Sequence, residues 1–274
     1  MKRVPSFAVP CRIGDVEQHV DRIRAQFTRQ ADVYARMRQT TDQRSLDGLV
    51  QLAGTTGTDR VLDVACGPGL LTLSFAARAA HATGCDATDA FLALARDEAE
   101  RRGLAGVVAF ESGDAEALPY ADETFDVVAC RAAFHHFPHP ARVLREMRRV
   151  ARRGGRLVVA DMLGSADPGC ASLHDRMERL CDPTHVRALP EAELARLFAD
   201  AGLDVRHVAR GRLEITVDEW IEHGGPDDAT ARELRALAAT SLDGDRAGLG
   251  MHRDGSGRLA FAHRTAAFLL VRPA

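Results

Sequence analysis

Apolar positions along the chain change period repeatedly, and the changes mark out alternating helices and strands. Val16, Val20, Ile23, Phe27, Ala31 and Tyr34 recur at three- and four-residue steps, which predicts a helix from Asp15 to about Met37. Asp15 serves as its N-cap and Gln18 as the capping partner. A second helix over 42–53 stops at Gly54. The short apolar run that begins at Arg60 reads as a buried strand ending in an acidic residue, Asp63, and opens through a glycine-bearing turn into a helical stretch, 70–80. Further strands are predicted at 81–86, 107–112, 124–130 and 156–162, with helices over 89–102 and 140–153 between them, the second closing on Gly154-Gly155. The longest irregular stretch, 164–188, holds a helix at about 170–180 and reads as a functional lid. A helix over 190–201, a strand over 203–216, a polar region 224–257 with one helix (228–241) and a last strand over 259–271 complete the chain.

This alternation predicts an α/β fold, a parallel sheet with helices on both faces. We expect one domain spanning 1–274, with the helices of 15–53 as a cap and 164–188 and 212–257 as lid or insert on the substrate side. Residues 1–14 read as an irregular leader without the apolar core of a signal peptide. No apolar run approaches the roughly 20 residues of a membrane span. A net charge of −3 gives no electrostatic footprint for nucleic acid. The paired arginines at 101–102, 148–149 and 152–153 are expected at helix ends, where cations suit the macrodipole. Six scattered cysteines without a C-x-x-C argue against a disulfide framework and for a reducing, cytoplasmic setting.

The chemistry concentrates at the ends of the first strands. Asp63-Val64-Ala65-Cys66-Gly67-Pro68-Gly69 joins a strand to a helix through a turn in which Gly67 and Gly69 can take positive φ. Such a unit brings backbone N–H groups and a helix N-terminus to a ligand. Thr72 stands where a dinucleotide fingerprint has its third glycine, and the Asp63 carboxylate repels a pyrophosphate but suits a cationic amino acid moiety. Asp86 ends the second strand, where a carboxylate accepts hydrogen bonds from ribose hydroxyls. Thr88 and Asp89 are better placed to cap the following helix.

The turn resembles the first motif of class I S-adenosylmethionine-dependent methyltransferases, with Ala65 in place of its first glycine. The resemblance continues through Gly113-Asp114-Ala115-Glu116-Ala117-Leu118-Pro119 and Phe125-Asp126-Val127-Val128, and covers about residues 27–162. It implies a Rossmann-like sheet of seven strands with the last antiparallel, S-adenosylmethionine as cofactor, and Asp114 and Ala115 against the adenine. Ala87, beside Asp86, joins the cofactor side. The group most resembled contains ubiquinone/menaquinone C-methyltransferases and many small-molecule methyltransferases. Its F-x-x-x-A-x-x-Y pattern is met by Phe27, Ala31 and Tyr34, so Tyr34 either closes over the cofactor carboxylate or packs as a core aromatic. Its R-x-x-x-H-H is met by Arg131, His135 and His136, with Arg131 on the cofactor side.

On the acceptor side, His135, His136 and Asp161 are the candidate catalytic residues, with His185 in the lid as a further candidate. His135 and His139 lack the companions of a zinc enzyme, and no metal site is expected. The expected activity is methyl transfer to a small-molecule O, N or C nucleophile, a soluble or aromatic metabolite, by a monomer or homodimer. Quinone C-methylation, a non-catalytic cofactor-binding scaffold and a nicotinamide oxidoreductase remain the alternatives.

Overall fold

A computed structural model describes residues 13–37 and 41–274. The expected leader, with Cys11, lies outside them except for its last two residues. Helices α1 (Ile13–Tyr34) and α2 (Gln43–Leu52) precede the sheet. There follow β1 (Arg60–Val64), α3 (Leu70–Ala76), β2 (His81–Asp86), α4 (Asp89–Arg101), β3 (Val108–Ser112), β4 (Phe125–Arg131), α5 (Pro140–Val150) and β5 (Ala151–Met162). The remainder is α6 (Pro168–Cys181), α7 (Glu191–Asp200), β6 (Asp204–Thr216), α8 (Val217–Gly224), α9 (Asp228–Thr240), β7 (His252–Arg253) and β8 (Leu259–Val271). The sheet runs β3-β2-β1-β4-β5-β8-β6, a path of seven strands to which β7 adds a two-residue pairing with β8. β1 to β5 pair in parallel, whereas β8 runs antiparallel between β5 and β6.

Successive residues of the central strands point to opposite faces, and both faces are covered. Leu62, Val128 and Leu157 pack with Leu144 and Met147 of α5 and Phe198 of α7. Their neighbours Val61, Val127 and Val158 pack with Leu46 and Val50 of α2 and Phe75 of α3. That is why these strands read as continuous apolar runs rather than as alternation. A separate cluster of Met177, Trp220, Ile221, Leu234 and Phe261 joins α6, α8 and α9 to β8. α1 is held against α4 by Phe27, Ala31 and Phe91.

Several boundaries depart from expectation. α1 begins at Ile13, so Asp15 lies inside the helix and not at its cap. α5 ends at Val150 instead of running to Arg153, because Ala151 turns extended and pairs with Phe125. Arg152 and Arg153 therefore start β5, where they form ion pairs with Asp126 and Glu123, and do not sit at a helix end. α8 was not anticipated. It is announced in the sequence by Thr216-Val217-Asp218-Glu219, which forms a reciprocal capping box.

The early end of α5 leaves carbonyls without helical partners, and Arg272 from beyond β8 satisfies them. Its guanidinium donates to the carbonyls of Arg148 (2.9 Å), Arg149 (3.2 Å) and Ala151 (2.6 Å), and to Glu123 Oε1 at 2.8 Å. Arg272→Met should cost about 2–4 kcal/mol by stranding buried acceptors. The check is the urea midpoint, and an unchanged midpoint would show that water replaces the guanidinium.

Candidate active site

The carboxyl-terminal ends of the parallel strands meet one cavity of about 860 Å³. Asp63, Ala65, Gly67, Asp86, Ala87, Asp114, Ala115, Arg131 and Tyr34 line one part of it; His135, His136 and Asp161 line another. Apart from Tyr34, which α1 contributes, these residues converge because they lie at or just beyond the strand ends of one sheet, the edge where α/β folds bind ligands. Two predicted residues do not line it. Gly69 instead lets α3 pack, since a Cβ there would stand 2.7 Å from Ala95 Cβ and from the Phe110 ring. His185 is buried beside Asp175, with Nε2 2.9 Å from Oδ1.

The turn after β1 holds its shape through Asp86, whose Oδ2 accepts from Gly67 N–H and whose Oδ1 accepts from Thr88 N–H, both at 2.8 Å. Thr88 occupies the N-cap of α4, although its side chain makes no capping bond. Gly67 has φ +53°, and a Cβ built on it meets nothing within 4 Å. Asp63 is 2% exposed and accepts from Thr72 Oγ1 at 2.7 Å. Burial raises its pKa to about 7, against the lowering effects of the Thr72 hydroxyl bond and the Arg131 charge. Asp114 is exposed at the rim, with Oδ1 accepting from Glu116 N–H at 2.8 Å. Tyr34 packs edge-on to Phe27 with ring centroids 5.7 Å apart, and burial raises its pKa.

Ala65 has φ +54°, a conformation that costs an L residue about 1–2 kcal/mol. Glycine removes this strain but brings more unfolded-state freedom. Ala65→Gly is therefore expected to raise stability by about 0.5–1 kcal/mol in urea unfolding. A fall in the midpoint would mean that contacts of the methyl group outweigh the strain.

At the other part of the cavity, Asp161 Oδ1 lies 2.6 Å from His135 Nδ1 and accepts from Met162 N–H at 2.6 Å. Its Oδ2 accepts from His135 N–H at 3.2 Å. With Nδ1–H donating to the carboxylate, Nε2 is the nitrogen left to accept a proton. Burial works against a charged His135, but the attraction and hydrogen bond of Asp161 prevail and raise its pKa above the ordinary value. Burial would raise that of Asp161, and the same pairing instead lowers it. His136 goes the other way. Burial, then the neighbouring charge of His135, pull it down to about 4. Its Nδ1 lies 3.1 Å from both the carbonyl and the hydroxyl of Thr184.

The 182–188 segment is firmly tied. Thr184 and His185 are buried, Val186 and Arg187 donate to the His135 carbonyl, and Ala188 N–H donates to Asp175 Oδ1 at 2.9 Å. It is built as a wall that fixes His135. His19 of α1 adds a contact the sequence did not suggest, Nε2 to the His136 carbonyl at 2.9 Å. No spacing rule links residues 19, 136 and 184, so only the fold reveals them. His139 turns away to Glu116, Nδ1 to Oε1 at 3.0 Å, which separates its partners from those of His135.

Comparison with known proteins agrees with this geometry. A family described as a methyltransferase domain matches residues 62–159. The Bacillus subtilis methyltransferase YcgJ is 31% identical over 199 residues, which span 73% of this chain and 78% of that protein. Its crystal structure superposes with a TM-score of 0.79 at 28% identity, over 84% of this chain and 99% of that one. The ubiquinone/menaquinone C-methyltransferase UbiE of Ectopseudomonas mendocina is 38% identical over 130 residues, 46% of this chain and 50% of that protein. The chain thus belongs to the class I S-adenosylmethionine-dependent methyltransferases.

Proposed function

We propose that the protein methylates a small-molecule acceptor, a soluble or aromatic metabolite, whose attacking O, N or C atom gives up a proton to His135. The observation that carries this reading is the continuity of one cavity from the glycine turn to the His135–Asp161 pair. The first part fits the cofactor on its own chemistry. Asp63 is a buried carboxyl that an amino acid ammonium would hold in its charged form, and the space that a Cβ of Gly67 would fill is open. Asp86 would take ribose hydroxyls while it holds the turn, Asp114 with Ala115 would hold the adenine, and Tyr34 and Arg131 would hold the carboxylate end.

S-adenosylmethionine supplies a methyl group already activated on a sulfonium, so the protein's work is alignment and exclusion of water. The chamber beyond the cofactor is walled by Phe27 and Ile23 of α1 and by Ile215 and Trp220 near α8, which favours an apolar or aromatic acceptor body. His135 Nε2 accepts the acceptor's proton, and Asp161 stabilises the imidazolium that results. His136, held neutral by burial, positions the acceptor rather than taking its proton. The same apolar walls support quinone C-methylation as a second reading.

The test supplies methyl-labelled cofactor with a cell extract split into small-molecule, protein and nucleic-acid fractions. Label should enter the small-molecule fraction with matching S-adenosylhomocysteine. Binding of S-adenosylhomocysteine without label transfer to any fraction would favour a scaffold role, and label in protein or nucleic acid would sink the small-molecule reading.

A further inference from the structure

His174 and Glu178 lie one turn apart on one face of α6, and His263 reaches them from β8. The three are 2%, 5% and 6% exposed. Glu178 Oε1 stands 3.3 Å from His174 Nε2 and 3.5 Å from His263 Nε2, and one ligand atom from each residue falls within 4.8 Å of the others. These contacts are not hydrogen bonds. His174 Nε2 and Glu178 Oε1 are buried without a hydrogen-bond partner. A buried carboxylate oxygen thus faces two imidazole nitrogens at distances too long for good hydrogen bonds, which leaves buried polar atoms unsatisfied. Metal–ligand bonds of about 2.0–2.1 Å at tetrahedral angles separate neighbouring donors by about 3.4 Å.

We propose that His174, Glu178 and His263 form a binding site for a divalent first-row transition-metal ion, Zn²⁺ in its simplest form, with a fourth position open to the acceptor chamber. Two imidazoles and one carboxylate suit such an ion, whereas Mg²⁺ and Ca²⁺ prefer oxygen donors throughout. Glu178 and His263 both line the cavity, as do His135 and Asp161, so the ion would face the chamber and not the glycine turn. Phe261 packs edge-on to His263 at 5.0 Å and to Trp220 at 5.3 Å, which gives the cluster an apolar surround. Three protein ligands with one open position is the pattern of sites that bind a further oxygen donor. The ion site stands independently of methyl transfer; only the identity of its fourth ligand rests on the chamber holding the acceptor.

The experiment is titration of the chelator-treated full-length protein with Co²⁺. It is followed by the visible bands of a tetrahedral cobalt centre and by quenching of Trp220, the only tryptophan in the chain. Expected are one equivalent bound, displacement by Zn²⁺ but not by Mg²⁺, and affinity lower by at least about 10-fold in Glu178→Gln and His263→Gln. Binding of S-adenosylhomocysteine by the same variants should be unchanged, which reports an intact fold and keeps the cofactor reading apart from this one. No cobalt bands in the native protein would overturn the site, and that result needs no variant. Bands that persist undiminished in both substitutions would place the metal elsewhere and overturn it equally.

Discussion

Replacing Asp86 with Ala is expected to weaken S-adenosylhomocysteine binding by about 100-fold or more, the largest loss available from a single side chain on the cofactor side. Two hydrogen bonds hold the carboxylate to the Gly67 and Thr88 amides, and ribose hydroxyls would add to them. Hydrogen bonds to a charged group are worth about 1.5–3 kcal/mol each, so losing the two that ribose hydroxyls would donate accounts for that factor or more, and the bonds to the amides add the cost of a loosened turn. Gly67→Val should be as damaging by another route. It forces a β-branched residue to φ +53° and puts its side chain into the open cradle. Calorimetric titration reads both, with NADH as the parallel control. Retained affinity in both variants would mean that the ligand does not rest on this turn.

The sheet and the glycine turn were legible for local reasons. β2 and β8 fall at the expected bounds because each apolar run is closed by residues that break it. The cofactor positions Asp63, Ala65, Gly67 and Asp86 are set by a strand, a turn and the next strand, and a linear sequence preserves that order. The boundary of α5 was not legible, because a helix-forming Arg run lost to pairing with Phe125 and to ion pairs with Asp126 and Glu123. α8 could have been read from Thr216 and Glu219, but it follows a strand without a break and was hidden by it.

The acceptor side was legible only where it touches the motif. His135 and His136 follow β4 and Asp161 lies at the end of β5, strand ends that the sheet aligns. Their supports come from elsewhere: His19 from α1 and Thr184 from the wall beyond α6, a wall that Asp175 ties down through His185 and Ala188. The triad of His174, Glu178 and His263 illustrates the limit. The i, i+4 pair is visible on a helix, but a helical His and Glu are unremarkable until β8 brings the second imidazole. Histidine clusters of this kind depend on tertiary packing, which neither periodicity nor spacing encodes.

His135→Ala should lower kcat by about 100-fold or more while leaving S-adenosylhomocysteine binding unchanged, the loss expected of a general base. The pH profile separates a base from a mere packing residue. A base must be neutral to work, and Asp161 keeps His135 charged to higher pH than an ordinary imidazole. The rate for the native protein should therefore rise with pH through a limb above the usual histidine value of about 6.5. In Asp161→Asn that attraction is gone and burial remains, so the limb should move to lower pH by about one unit or more. Its plateau should also drop, since the amide no longer stabilises the imidazolium or fixes the tautomer that leaves Nε2 free. His136 cannot supply the limb, because its pKa of about 4 leaves it neutral throughout the range. A profile unmoved by Asp161→Asn would deny His135 the proton-accepting role. It would then suit an acceptor that attacks without losing a proton first, with the pair serving only to shape the chamber.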